Sequence, residues 1–185
     1  LRKEVIGQSK SRLSSFLLMN PSAYSVLVGI CGGVAAGKKL FSHSLVARLR
    51  ARGCTAENVD QCTMKMRKDH SASCIVVTGL TLFTDFPKKH FDVKVFLDTD
   101  ADIRLCRTLH GVETIEECRR LLTRYQSITR PYHVQSVLPQ RVLADICING
   151  NFCEKDVEGV VSRVLHLVSD KEQEEADDEY SYLYP

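Results

Sequence analysis

Apolar and polar positions alternate along the chain in blocks that spell strand, turn and helix in repeated order. Ser25 to Cys31 is a nearly unbroken apolar run, and it ends in the glycine-rich turn Gly32-Gly33-Val34-Ala35-Ala36-Gly37. Leu40, Phe41, Leu45, Val46 and Leu49 then recur at helical spacing, with Gly53 where a helix would be capped. Cys54 to Val59 reads as a short second strand ending at Asp60, followed by a polar, basic connection from Met64 to Ser73. Cys74 to Leu80 is apolar without alternation, the pattern of a parallel strand buried on both faces. Val93 to Asp98 and Val142 to Ile148 predict two further strands, the latter closed by Asn149-Gly150. Helical spacing fills the intervals Ala101 to Leu109, Ile115 to Ile128 and Asp156 to Val168.

Strands alternating with helices predict an α/β fold, a three-layer sandwich with a central parallel sheet of the P-loop NTPase-like kind. The organisation read from this pattern is an N-terminal helical extension over 1–22, a single domain over 23–169, and an acidic, tyrosine-rich tail over 170–185. In the extension, Ile6, Ser9, Leu13, Phe16 and Leu17 share one helical face. Arg2, Lys3, Lys10 and Arg12 beside several serines also fit the remnant of an organelle-targeting region, and the amphipathic helix is the favoured reading. The chain begins at Leu1 rather than Met, as a processed protein or a fragment would.

Charge changes this picture at one end. The 185 residues carry a net charge of +2, but from Asp170 to Glu179 seven acids face Lys171 alone, a balance of −6 that leaves +8 on the remainder. A basic body suits phosphate ligands, RNA or an acidic protein partner, and does not choose among them. The acidic run is too charged to fold by itself, yet Tyr180, Tyr182, Leu183 and Tyr184 follow it. The expected partners are therefore protein subunits of a complex, docked through the 170–185 tail.

Eight cysteines without a Cys-x-x-Cys pair, and six histidines without metal spacing, argue against a zinc site or a disulfide scaffold. They predict a reducing compartment, the cytosol or the mitochondrial matrix. No apolar run is long enough to span a bilayer, so membrane insertion is not expected.

Chemistry concentrates in the first turn. Gly32-x-x-x-x-Gly37-Lys38 after a strand and before a helix is a phosphate-binding loop, whose backbone N–H groups and helix N-terminus face an anion while Lys38 reaches the outer phosphates. The candidate phosphate-binding residues are Gly32, Gly33, Val34, Ala35, Ala36, Gly37, Lys38 and Lys39. At the last of these positions the pattern calls for Ser or Thr, whose hydroxyl ligates Mg²⁺. Lys39 has no lone pair to offer. At ~4 Å and an effective dielectric of ~20, its charge opposes even a single positive charge by about 4 kcal/mol. No Asn-Lys-x-Asp motif appears, so a GTPase is disfavoured.

The loop, together with the block Phe91 to Arg107, closely resembles uridine-cytidine kinases of the uridine kinase and phosphoribulokinase family. Tyr125, Arg130-Pro131, Pro139 and Ala144-Asp145 fall in the family's order, and the resemblance covers about residues 25 to 168. It implies transfer of the ATP γ-phosphate to the 5′-hydroxyl of uridine or cytidine, with Asp60 at the position of the base and Arg104 and Arg107 contacting phosphates from the lid.

The departures from the family pattern fall on that machinery. Besides Lys39, Thr78 stands where the family has an acid, and Thr108 replaces the second arginine of its Arg-Arg pair. Only thirteen residues separate Asp60 from Cys74, where the family carries a long insertion forming the nucleoside pocket. The expectation is a degenerate member without kinase activity, a structural or accessory subunit with weak ATP affinity, no metal site and no use for Mg²⁺. The alternative is a divergent ATP-dependent nucleoside kinase in which another side chain supplies the metal ligand.

Overall fold

The predicted strands form one parallel sheet. The computed structural model describes residues 25–60, 72–86 and 90–183, with side chains to residue 174. The 1–22 extension and most of the polar connection lie outside the described residues. Strands β1 (Val26–Gly32), β2 (Ala56–Asp60), β3 (Cys74–Gly79), β4 (Val93–Asp98) and β5 (Ile146–Asn149) run in the order β2-β3-β1-β4-β5. Every pairing is parallel, with Ile30 opposite Thr78 on one side and Val95 on the other. The strand carrying the glycine-rich turn is thus the central one, and its C-terminal end opens on the crevice where α/β sheets bind ligands.

The unbroken apolar runs are explained by two cores, one on each face of the sheet. Val26, Val28 and Ile30 point into the first with Cys74, Val76, Val93, Val95 and Leu97. There they meet Phe41, Leu45 and Leu49 of α1 (Lys38–Ala51) and Val160, Val161 and Val164 of the C-terminal helix Glu154–Leu183. Leu27, Cys31, Ile75, Val77 and Phe96 point the other way, onto Leu82 and Phe83 of the one-turn helix α2 (Leu82–Asp85) and Val137. Each fully buried side chain of this kind contributes roughly 1.5–3 kcal/mol, so a substitution to a charge on either face removes a layer contact. The three-layer sandwich follows.

Three elements depart from the sequence expectation. The strand expected over Val142 to Ile148 is shorter, because Leu138–Leu143 is a 3₁₀ turn and Val142 is 85% exposed. Pairing starts only where Asp145 donates its N–H to Lys94 O at 2.9 Å and accepts from Lys94 N at 2.7 Å. The helix expected over Ile115 to Ile128 runs on instead: after α3 (Ala101–Leu109), α4 (Ile115–Arg124) continues through π-helical turns at Tyr125–Thr129 and His133–Val137 into that 3₁₀ turn. We call 115–143 the arm. Its start is set by Thr114, whose hydroxyl accepts from Glu117 N at 3.2 Å.

The last helix, α5 (Glu154–Leu183), crosses the expected boundary at residue 170 without a break, so the acidic run is helical rather than an unfolded tail. One lysine in that run explains its anchorage. Lys171 Nζ contacts Asp92 Oδ1 at 3.1 Å and Ser25 O at 3.0 Å, while Asp92 Oδ2 accepts from Leu27 N at 2.7 Å. At the other end of α5, Arg48 pairs with Glu154 and Glu158, and Arg52 with Glu158. Arg50 donates to Ala56 O at 2.9 Å. These three arginines are engaged within the chain.

Among the described residues, no helix is long and apolar enough to cross a membrane.

Candidate functional site

The glycine-rich turn folds as a phosphate loop needs. Gly37, at the start of α1, has φ +94°, and Ala35 has φ +58°, so two left-handed residues bend the chain back over its own N–H groups. Ala36 N donates to Gly33 O at 3.2 Å, and Phe41 N to Gly37 O at 2.9 Å opens the helix. Thr99, just past β4, donates its hydroxyl to Ala36 O at 3.0 Å and fixes the buried turn to the sheet. Val34 stands out at the tip, 44% exposed.

Three cations surround this loop, as the resemblance implies. Lys38 Nζ reaches back to Gly32 O at 2.9 Å and Gly33 O at 2.7 Å, spanning the mouth of the turn. Arg107 donates to Ala35 O at 3.3 Å, and to Gly150 O and Asn151 Oδ1 at 3.1 and 2.8 Å, joining loop, α3 and the turn after β5. Arg104 is buried and donates from Nε to Thr99 O at 3.0 Å. Gly32 through Lys38, Arg104 and Arg107 are therefore brought together.

Lys39 belongs to a different wall. With His43, Asn58, Asp60 and Thr78 it lines a recess of about 240 Å³ beside the loop. The β2–β3 register sets Asp60 directly opposite Thr78, and Lys39 and His43 follow one another on α1 at helical spacing of four. Asn58 donates to Ser42 Oγ at 2.8 Å, which ties β2 to α1 behind the recess. The candidate base and the two substituted positions thus share one cavity. Groups of three or more His, Cys, Asp or Glu side chains able to hold a metal ion are absent among the described residues.

Cys31, at the end of β1, is not a nucleophile in waiting. Burial first of all pushes its thiol up to about 12, so it stays protonated at neutral pH. Cys74 is likewise held up at about 12 by burial.

Two further residues at the site carry no signal in the sequence. Gln140 is fully buried, accepting at Oε1 from Phe83 N at 2.8 Å and donating from Nε2 to Leu80 O at 2.8 Å and Ser136 O at 3.2 Å. It locks the arm against α2 and the end of β1. His133, also on the arm, arrives beside Arg104 and Gly33 through the fold alone. Its imidazole is pushed down from the usual 6.5 to about 4, by burial first and then by the Arg104 charge.

That shift makes an acid-stability prediction. In the unfolded chain His133 takes up a proton below pH ~6.5, while in the fold it resists until about 4, so stability falls as pH drops through that window and levels off below it. With solvent screening of a partly exposed ring, the loss is about 1–2 kcal/mol. Urea titrations at pH values across the window should show His133→Phe losing less stability than wild type; an identical loss in both proteins refutes it.

No family model matches the chain. Curated relatives do. A uridine kinase of Chlamydia pneumoniae is 30% identical over 115 residues, covering 57% of this chain and 50% of the relative. A uridine kinase of Clostridium botulinum (strain Okra) is 34% identical over 101 residues, 51% of this chain and 48% of the relative. The chain thus spans about half the length of the curated relatives it matches. Among solved structures, a putative fructose transport system kinase from a Silicibacter species superimposes with a TM-score of 0.46 at 15% identity, over 75% of this chain and 98% of that one. Shikimate kinase from Bacteroides thetaiotaomicron gives 0.42 at 14%, over 78% and 98%. Over the aligned half, the chain is similar to uridine kinases in sequence.

Proposed function

We propose that this chain is a uridine-kinase-like P-loop domain that holds phosphate at its loop without transferring it to a nucleoside, and that it serves a larger assembly as a structural or accessory subunit. The observation that carries this reading is the recess where Lys39, Asp60 and Thr78 meet. An Mg²⁺ ion bound beside phosphates needs oxygen ligands, typically one or two carboxylates. Here the recess offers a single carboxylate, Asp60, and sets the Lys39 ammonium on its wall, whose charge opposes the ion. Phosphoryl transfer rests on positioning and charge stabilisation, and losing both metal and acceptor contacts acts on the same transition state. The loop itself keeps its cradle of backbone and cations, which supports weak, metal-independent binding of ATP. Partner contact is assigned to the far end of α5, beyond the Lys171 anchor, where the acidic residues and Tyr180 and Tyr182 lie.

A divergent working kinase is the second reading. It is favoured by Thr78, which lines the recess opposite Asp60 and carries a hydroxyl that could substitute for the missing Walker hydroxyl.

One experiment separates the two. Purified chain is incubated with ATP, Mg²⁺ and uridine or cytidine, beside a Lys38→Ala control, and ATP affinity is measured by calorimetry with and without Mg²⁺. The first reading expects no turnover above the control and an affinity that Mg²⁺ changes by less than about threefold, under 1 kcal/mol. Turnover above the control, or tight binding that requires Mg²⁺, overturns it and supports the second.

A further inference from the structure

Two polar side-chain atoms are buried without a hydrogen-bond partner among the described residues, Arg104 Nη1 and His133 Nδ1. They converge on one point. A Cβ built on Gly33 would lie 2.6 Å from Arg104 Nη1 and 2.9 Å from His133 Nδ1, so both nitrogens rest against the face of the second glycine of the phosphate loop. Only a residue without a side chain leaves that approach open.

Arg104 is 4% exposed, and its Nε–H donation to Thr99 O fixes the guanidinium so that Nη1 is aimed at the loop. A buried guanidinium N–H with no acceptor is a costly group to keep, and native folds rarely keep one unless something else satisfies it. Lys38 is close as well, bonded to the Gly33 carbonyl. An acceptor entering here meets two positive charges, which selects an oxyanion over a neutral group.

We propose that Arg104 and His133 form a proton-linked oxyanion site over Gly33, in which a phosphate-class anion accepts from Arg104 Nη1 and His133 Nδ1 and the imidazole takes up one proton from solvent as the anion binds. This rests on the reading that the loop holds phosphate, and adds to it a partner from the arm and a dependence on pH. His133 Nδ1 gives up no hydrogen bond when the anion arrives.

The charged groups facing His133 come from three elements. Arg104 of α3 and Lys38 of α1 disfavour its protonation, and Asp98 at the end of β4 favours it; together with burial they hold the ring neutral. An anion placed between the nitrogens reverses that balance and raises the midpoint of His133. By linkage, anion affinity then climbs as pH falls, by up to about tenfold per pH unit between the unbound and bound midpoints.

Sulfate is the probe, because its charge does not change across the range used. In the full chain labelled with ¹³C-histidine, and with His133→Phe to assign its signal, the His133 midpoint is measured with and without saturating sulfate at constant ionic strength. The expected result is an upward move of at least about one pH unit, with sulfate affinity rising at least about threefold from pH ~6 to ~4 in wild type and flat in His133→Phe. Arg104→Gln is expected to abolish the move; should that variant fail to fold, the wild-type midpoint still decides. ATP in place of sulfate tests the source: the same move with both assigns the site to the phosphates of a nucleotide as well as to free oxyanions, and a move with sulfate alone assigns it to free oxyanions. Binding that Lys38→Ala weakens but that leaves the His133 midpoint in place overturns this proposal and spares the phosphate-loop reading. Absence of binding by either anion overturns both.

Discussion

Gln140→Leu is expected to lower the free energy of unfolding by about 3 kcal/mol, the largest loss anticipated for a single polar side chain outside the loop. Leucine is close to glutamine in volume, so the change opens little space and tests hydrogen bonding rather than packing. It strips the acceptor from the buried Phe83 N–H and the donor from Leu80 O and Ser136 O, which are partly buried. Each buried backbone group left short costs about 1–3 kcal/mol, and the added apolar burial offsets part of the total. Denaturant unfolding followed at two probes should show an earlier midpoint with an unchanged slope. A loss under about 1 kcal/mol would mean that Gln140 is incidental. The same substitution should loosen the arm that carries His133, since Gln140 joins the arm to α2 and, through Cys31 Sγ at 3.4 Å, to the strand leading into the loop.

What the sequence made legible follows how local each cause is. β1 and β3 are readable because a strand buried on both faces has to be apolar nearly throughout, and the phosphate loop because glycines and a lysine at fixed spacing are a local requirement. The full length of the arm is hidden in the sequence because apolar residues along it, Ile128, Val134 and Val142 among them, face outward and mark no stripe toward a core. Val142 and Leu143 then lent a false strand its first two residues. The acidic end of α5 looked unfoldable because its anchor, Lys171 on Asp92, joins residues 79 apart. Distance also hides the site's second half. The contact of Gln140 with Cys31 spans 109 residues, and His133 reaches Gly33 across a comparable length, so neither has a spacing to betray it. The departures at Lys39 and Thr78 were visible one by one; that both face Asp60 in a single recess is a property of the register between β2 and β3.

Lys39→Thr should convert ATP binding from nearly indifferent to Mg²⁺ to dependent on it, by at least about tenfold, or 1.4 kcal/mol. Two effects act in the same direction. The substitution restores a hydroxyl with lone pairs at the first turn of α1, and it removes an ammonium from the wall of the recess. Against a divalent ion at ~4 Å, that ammonium opposes binding by about 8 kcal/mol at an effective dielectric of ~20. Lys39 is exposed and can turn its charge toward solvent, so most of this figure is screened and tenfold is the floor. Adding Thr78→Glu places a second carboxylate opposite Asp60 in the β2–β3 register and should strengthen the response further. On the proposed reading neither variant phosphorylates uridine or cytidine, because the thirteen residues between Asp60 and Cys74 are fewer than the resemblance calls for at the nucleoside pocket. Calorimetry with ATP across a series of Mg²⁺ concentrations reads the first effect, and a coupled assay reads the second. An unchanged Mg²⁺ response in Lys39→Thr would show that the lysine is not what keeps the metal out, whereas turnover in either variant would show that the chain needed only its metal ligand to be a kinase.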